Sequence, residues 1–323
     1  MSLDPSFISI FKFMCHNYEG KEWGCTSPRI SFFKFLTFNP EFRLLKLTLM
    51  VIRFMSVISL VCIVMLDVII VAEANIINVP QEHKSIPAAF KVAEVGDTIL
   101  VGPGIYRGEL SLKNGVILQG IGEKPTLKLA VKAINVKGAV ITDFAMKGGT
   151  NNDPILGISS RHQCKISKVT VKYNTITNSF SVGILVTSNS SALIEGNRVT
   201  DSPEVGIIIS NSDKKILLLD NTLQRNRSAG IQCSEASPII RQNLITQNGF
   251  GILIDDAQPN LGTVAAPGLN RLYDNKEGDV VNLGKSVVLA QQNYWGRPNG
   301  PCQNCIFGKV EYKPFRLSFS RHS

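Results

Sequence analysis

Two columns of residues recur in phase along the middle of this chain, and they restrict its fold more than any other feature. Asn174-Thr-Ile-Thr is followed by Asn197-Arg-Val-Thr, Asn221-Thr-Leu-Gln and Asn243-Leu-Ile-Thr, at steps of 23, 24 and 22 residues. Gly183-Ile-Leu-Val, Gly206-Ile-Ile-Ile, Gly230-Ile-Gln-Cys and Gly251-Ile-Leu-Ile follow each Asn after nine, nine, nine and eight residues. Short Val/Ile/Leu runs broken by Asn, Ser, Asp and Gly, in a unit of roughly 20 to 25 residues, describe one coil of a β-solenoid. The L-x-x-L-x-L pattern of leucine-rich repeats, which share this period, is missing. Coils stacked about 4.8 Å apart turn inward positions into ladders of Ile, Val and Leu. The Asn column is read as structural: its side chains bond along the stack and its backbone tolerates left-handed angles. The Gly column is read as the place of a sharp bend between strands.

The pattern continues on both sides. Upstream, Gly115-Val-Ile-Leu-Gln-Gly120, Ala139-Val-Ile-Thr-Asp-Phe144 and Gly157-Ile-Ser each suit a coil strand, and downstream Asn270 and Asn293 extend the Asn column. A solenoid must shield its open ends. Residues 85–94 suit a short amphipathic plug: Ser85 caps it, Pro87 sits in its first turn, and Ile86, Ala89, Phe90 and Ala93 share a face.

Residues 54–72 form an apolar run of about bilayer-spanning length, followed by the small-x-small pattern Ala72-Glu73-Ala74. The domain reading is therefore a leader over 1–74, a body over 75–315 and a C-terminal tail over 316–323. Met50-Val51-Ile52-Arg53 would make a natural start for a signal peptide, leaving 1–49 as an over-extended frame. An uncleaved signal anchor is the alternative, and would be the only link to a membrane. Either way the body is expected to be secreted or periplasmic.

The chain holds 34 Lys and Arg against 25 Asp and Glu, a formal charge of +9. Such a surface suits anionic polysaccharide, lipid or nucleic acid. The cations are scattered singly, with no basic run interleaved with aromatics, so nucleic acid is not expected as a partner. The bland reading is a solvated basic surface. Cys164 and Cys233 are read as small buried hydrophobes. Cys302 and Cys305 form a lone C-x-x-C, expected to be a local disulfide in an exported chain; zinc would need four ligands.

Ile77-Asn-Val-Pro80, Ile86, Ala88-Ala89 and Gly96-Asp97-Thr-Ile-Leu-Val-Gly-Pro103-Gly104-Ile-Tyr106 resemble the opening of many secreted pectin-lyase-like β-helix proteins. The Asn/Gly repeats resemble the parallel β-helix repeats of that superfamily. Gln258-Pro259-Asn-Leu261-Gly262-Thr263 with Pro267-Gly268-Leu-Asn270 is similar to the insert of uncharacterised bacterial, largely cyanobacterial, β-helix proteins. Asn293-Tyr-Trp295-Gly296 with Gly300-Pro301 resembles an element that closes many such domains. The resemblance implies an all-β fold, a single-stranded right-handed parallel β-helix with a short N-terminal capping helix. It says little about function, because the superfamily includes polysaccharide lyases, hydrolases, epimerases, adhesins and periplasmic copper-site maturation proteins.

Sugar-cleaving chemistry needs paired carboxylates, or a calcium cluster with a basic residue. The repeat phase stacks Ser188, Asn211, Glu235 and Asp256 in one column and Thr187, Ser210, Ser234 and Asp255 in the next. Glu235, Asp255 and Asp256 are thus the candidate catalytic or metal-binding residues, against the reading of a solvated polar turn. No cofactor is called for; Ca2+ is the cation that would suit the trio. The His and Arg-x-Lys elements of polygalacturonase-like sites are not recognisable, and His83 and His162 lie far from the trio in coil number. Tyr294 and Trp295 suit either sugar stacking or a terminal cap. The expected function is non-catalytic binding of polysaccharide or another envelope component. The alternatives are a lyase, hydrolase or epimerase of acidic polysaccharide, and a copper-site maturation factor. Oligomeric state is not legible.

Overall fold

A computed structural model describes residues 73–148, 154–159, 168–179, 181–212 and 215–319. The leader through residue 72, Cys164 and His162 lie outside the described residues. Parallel strands stack coil upon coil into an 11-stranded and a 15-stranded sheet. The larger sheet bends at strand Thr126–Ile134, whose first residues pair with Ala145–Lys147 and whose later ones pair with Leu156–Ser159. The coil therefore has three faces. One coil reads Ser191–Glu195 on the first face, Arg198–Thr200 on the second and Val205–Ser212 on the third. The next repeats it with Ile216–Leu219, Thr222–Gln224 and Ala229–Ala236.

Strand alternation puts one to three apolar side chains of each of these strands inside. Ile194, Val199 and Ile207 are fully buried in one coil, and Leu218, Leu223 and Ile231 in the next. Burying each such side chain contributes about 1.5–3 kcal/mol. At the N-terminal end a seven-residue helix, α1 (Ile86–Val92), lies over the core. The Ser85 side chain accepts the Ala88 N–H, and Ile86, Ala89 and Phe90 face inward. Asp97 of the Gly96-Asp97-Thr-Ile segment ties the first coil to this cap. Its buried carboxylate accepts N–H groups from Asn75 and Glu94 at 2.8 and 2.7 Å. The Glu94 bond above all, then that of Asn75, holds the carboxyl below its ordinary range. At the other end Trp295 is buried edge-on to Tyr312, which stacks on Phe315. These rings close the core. The backbone N–H of Arg316 still donates to the Asn293 carbonyl, so hydrogen bonding continues past residue 315.

The Asn column forms a buried ladder. Phe144 N–H donates to Asn174 Oδ1, and the donor–acceptor series continues through Asn197, Asn221, Asn243 and Asn270 to Asn293, each bond 2.9–3.0 Å. The left-handed backbone expected at these asparagines belongs instead to the residue before each. Tyr173, Asp220, Gln242, Leu269 and Gln292 have φ between 50° and 59°. The turn needs the left-handed step just before the corner so that the asparagine amide can point inward.

A second ladder, not foreseen, occupies the corner between the second and third faces. Ser202 N–H donates to Asn226 Oδ1, Asn226 to Asn248 and Asn248 to Asn275, at 3.0–3.1 Å. It ends on Asp279, whose Oδ1 accepts Asn275 Nδ2 at 2.8 Å. Burial pushes the Asp279 carboxyl up, against the lowering effect of these bonds. The second ladder also revises the reason for the glycines. Gly206 has no positive φ; a Cβ there would lie 2.7 Å from the Gly230 carbonyl oxygen and 2.8 Å from Asn226 Nδ2. Close approach of coil and ladder, not a bend, excludes a side chain.

Candidate functional site

The third corner, between the third and first faces, carries the acidic trio. Ser234 pairs in register with Asp255, which sets Glu235 beside Asp256 on adjacent coils. Glu235 and Asp256 adopt left-handed angles, φ 49° and 43°, as does Asn211 one coil earlier at 48°. All three carboxylates are exposed. A general acid is made by shielding a carboxyl from water, and these are not shielded. Among the described residues no three His, Cys, Asp or Glu side chains converge to hold a metal ion.

The remaining singled-out residues have plain structural places. Cys302 and Cys305 form a disulfide, and Cys305 O accepts N–H groups from Asp279 and Val280. Cys233 is wholly buried and its thiol is pushed up to about 12 by desolvation. Arg225 pairs with Asp201 at 2.8 Å, and Arg241 Nη2 donates to Asn260 at 2.8 Å. Tyr294 meets Tyr273 edge-on at 6.3 Å.

The three faces differ in what they present to solvent. On the first face the outward column in register runs Ile117, Val140, Thr170, Leu193, Leu217 and Ile239. The third face shows Leu185, Ile208, Gln232 and Leu253. The second face is different. One outward column runs Ile105, Thr126, Ala145, Thr175, Arg198, Thr222, Leu244, Arg271, Tyr294 and Arg316. The parallel column holds Arg107 against Lys128, then Lys147, Thr177, the buried Thr200 and Gln224.

No position of either column is a carboxylate; Glu109, further along strand Ile105–Ser111, is exposed and faces Lys132. Among the described residues, no carboxylate lies within ion-pair distance of Arg107, Lys128 or Lys147. Cations that look scattered in sequence thus become a column, about one coil spacing apart. At the C-terminal end of the face the Arg271 guanidinium sits 4.4 Å from the Phe319 ring centroid. The acidic corner lies opposite this face across the coil. Sequence reasoning missed the cation column because coil lengths before residue 174 vary: Thr98, Ile117, Val140 and Thr170 are in register yet step by 19, 23 and 30 residues.

Residues 129–289 match the family described as right handed beta helix region. Two solved structures from Azotobacter vinelandii are similar: the A-modules of the mannuronan C-5 epimerases AlgE4 and AlgE6. The first is 12% identical with TM-score 0.39, over 69% of this chain and 89% of its own. The second is 13% identical with TM-score 0.39, over 69% of this chain and 82% of its own. Comparison with curated proteins finds no match. The match over that segment and the stacked three-faced coils agree on the fold, a right-handed parallel β-helix.

Proposed function

We propose that this protein is an exported, non-catalytic module that binds an acidic polysaccharide of the cell envelope along its second face. One observation carries the reading: the two outward columns there hold Arg107, Lys128, Lys147, Arg198, Arg271 and Arg316 and no carboxylate. A repeating anion laid on this face meets cations near both ends, and Arg198 with Thr or Gln side chains between them. Cleavage or epimerisation on the same face would lack the carboxylates that such chemistry uses. The Cys302–Cys305 disulfide fits an oxidising compartment.

The test is binding of the full chain to polygalacturonate and to neutral dextran at rising salt. The expected result is retention by polygalacturonate alone, weakening as salt screens exposed charges. Lys128→Gln with Lys147→Gln should lower affinity at least tenfold. Equal binding to dextran, or release of unsaturated products from polygalacturonate, would overturn the reading.

A further inference from the structure

The second face ends, at its N-terminal edge, in a cleft of about 210 Å3 between the start of α1 and strand Ile105–Ser111. Leu110 and Leu129 form a buried apolar floor, and Ile105, 56% exposed, stands at the mouth. The Tyr106 ring forms one wall, fixed by its hydroxyl donating to Gly102 O at 3.0 Å. Burial pushes that phenol up, so it stays neutral at ordinary pH. Two cations face the space, Lys84 from beside the helix and Arg107 from the strand. The one carboxylate at its rim, Glu109, faces Lys132 at 4.0 Å. An apolar floor, an aromatic wall and two cations recognise a sugar ring with an anionic substituent.

Size and position decide which ring. The volume lies below the roughly 300–1,000 Å3 of pockets that enclose drug-sized ligands, which leaves room for one pyranose. Arg107 belongs both to the cleft and to the column with Lys128 and Lys147. The start of α1 lines one side of the cleft through Ser85, Ile86 and Pro87, and α1 packs against strand Ile105–Ser111. We infer that the cleft receives the terminal unit of the acidic chain lying on the second face, so that the protein binds chain ends. This inference rests on the binding reading above.

The experiment titrates the full chain calorimetrically with a galacturonate tetramer and, separately, with long polygalacturonate of known mean length. End capture predicts tetramer binding at one per protein. It also predicts that long chains saturate at one protein per chain, however long the polymer. Ile105→Trp, which fills the mouth from an exposed position, should cut tetramer affinity at least tenfold, and Lys84→Gln should cut it several-fold. Circular dichroism confirms that both variants stay folded. If many protein molecules coat each long chain and Ile105→Trp binds as tightly as wild type, end capture is wrong and the face reading stands. If neither the tetramer nor the polymer binds, the face reading falls and the cleft goes with it.

Discussion

In the coils after residue 174 the first corner holds a buried asparagine whose amide joins one coil to the next. In the coils before it the equivalent places are held by Phe144 and, one coil earlier, Pro125, which supply no side-chain amide: Thr175 N–H donates to Phe144 O and Ala145 N–H to Pro125 O, and of the two only Phe144 reaches the ladder, its N–H donating to Asn174 Oδ1. The ladder half has steps of 23, 24, 22, 27 and 23 residues. The N-terminal half varies freely, and is held instead by a nine-residue strand across a corner, a capping helix and the Asp97 clasp. A hydrogen-bonded column demands that every coil put the same amide at the same height, so the one longer coil takes up its extra residues between Gly262 and Asn270 and keeps the ladder bond. An apolar corner accepts any shape that fills the space.

Substitutions can break that contrast. Ile207→Asp buries an unpaired charge among the ladder coils and should cost about 5 kcal/mol or more, unfolding the C-terminal half in urea before the N-terminal half. Asn221→Ala removes a link in the first ladder and strands the Asn197 N–H, which now donates to Asn221 Oδ1. It should cost about 2–4 kcal/mol by denaturant midpoint, against about 1 kcal/mol for Phe144→Leu. Equal costs would erase the distinction. Gly206→Ala, which drives a methyl against the second ladder, should cost about 1–3 kcal/mol.

Acidity should separate the halves in opposite senses. Asp97 has a lowered carboxyl, so its contribution is present above the ordinary carboxylate value and is lost as pH falls through the lowered one. Asp279 has a raised carboxyl, so its contribution is full at low pH and is lost as pH rises through the raised value. Asp97→Asn should therefore flatten the acid limb of a melting-temperature profile. Asp279→Asn should remove the loss on the rising side and leave stability at neutral pH equal or higher. The smallest effect belongs to the exposed corner: replacing Glu235, Asp255 and Asp256 together with Ala should move stability by less than about 1 kcal/mol. A larger loss would mean that those carboxylates hold the fold.

The acidic trio was legible because Glu235 and Asp256 fall in a regular part of the repeat, where phase gives position. A solvated polar turn was the competing reading of them, and all three are exposed. The second ladder left a signal: Asn226, Asn248 and Asn275 each follow a first-ladder Asn by five residues. It was obscured because earlier coils carry Ser179 and Ser202 at that place. The cation column left no such trace.

The sequence by itself determined the coil, its period where the ladder runs, the inward Ile, Val and Leu columns, the capping helix and the apposition of Cys302 and Cys305. These are local or strictly periodic, so spacing alone encodes them. Only the tertiary structure decided why the glycines are needed, where the left-handed residues sit, and which face gathers the charge. Each of those depends on what lies one coil above or below. In the N-terminal half, coils of unequal length bring Arg107, Lys128 and Lys147 into line by absorbing the difference in their corners, which no fixed spacing along the chain records.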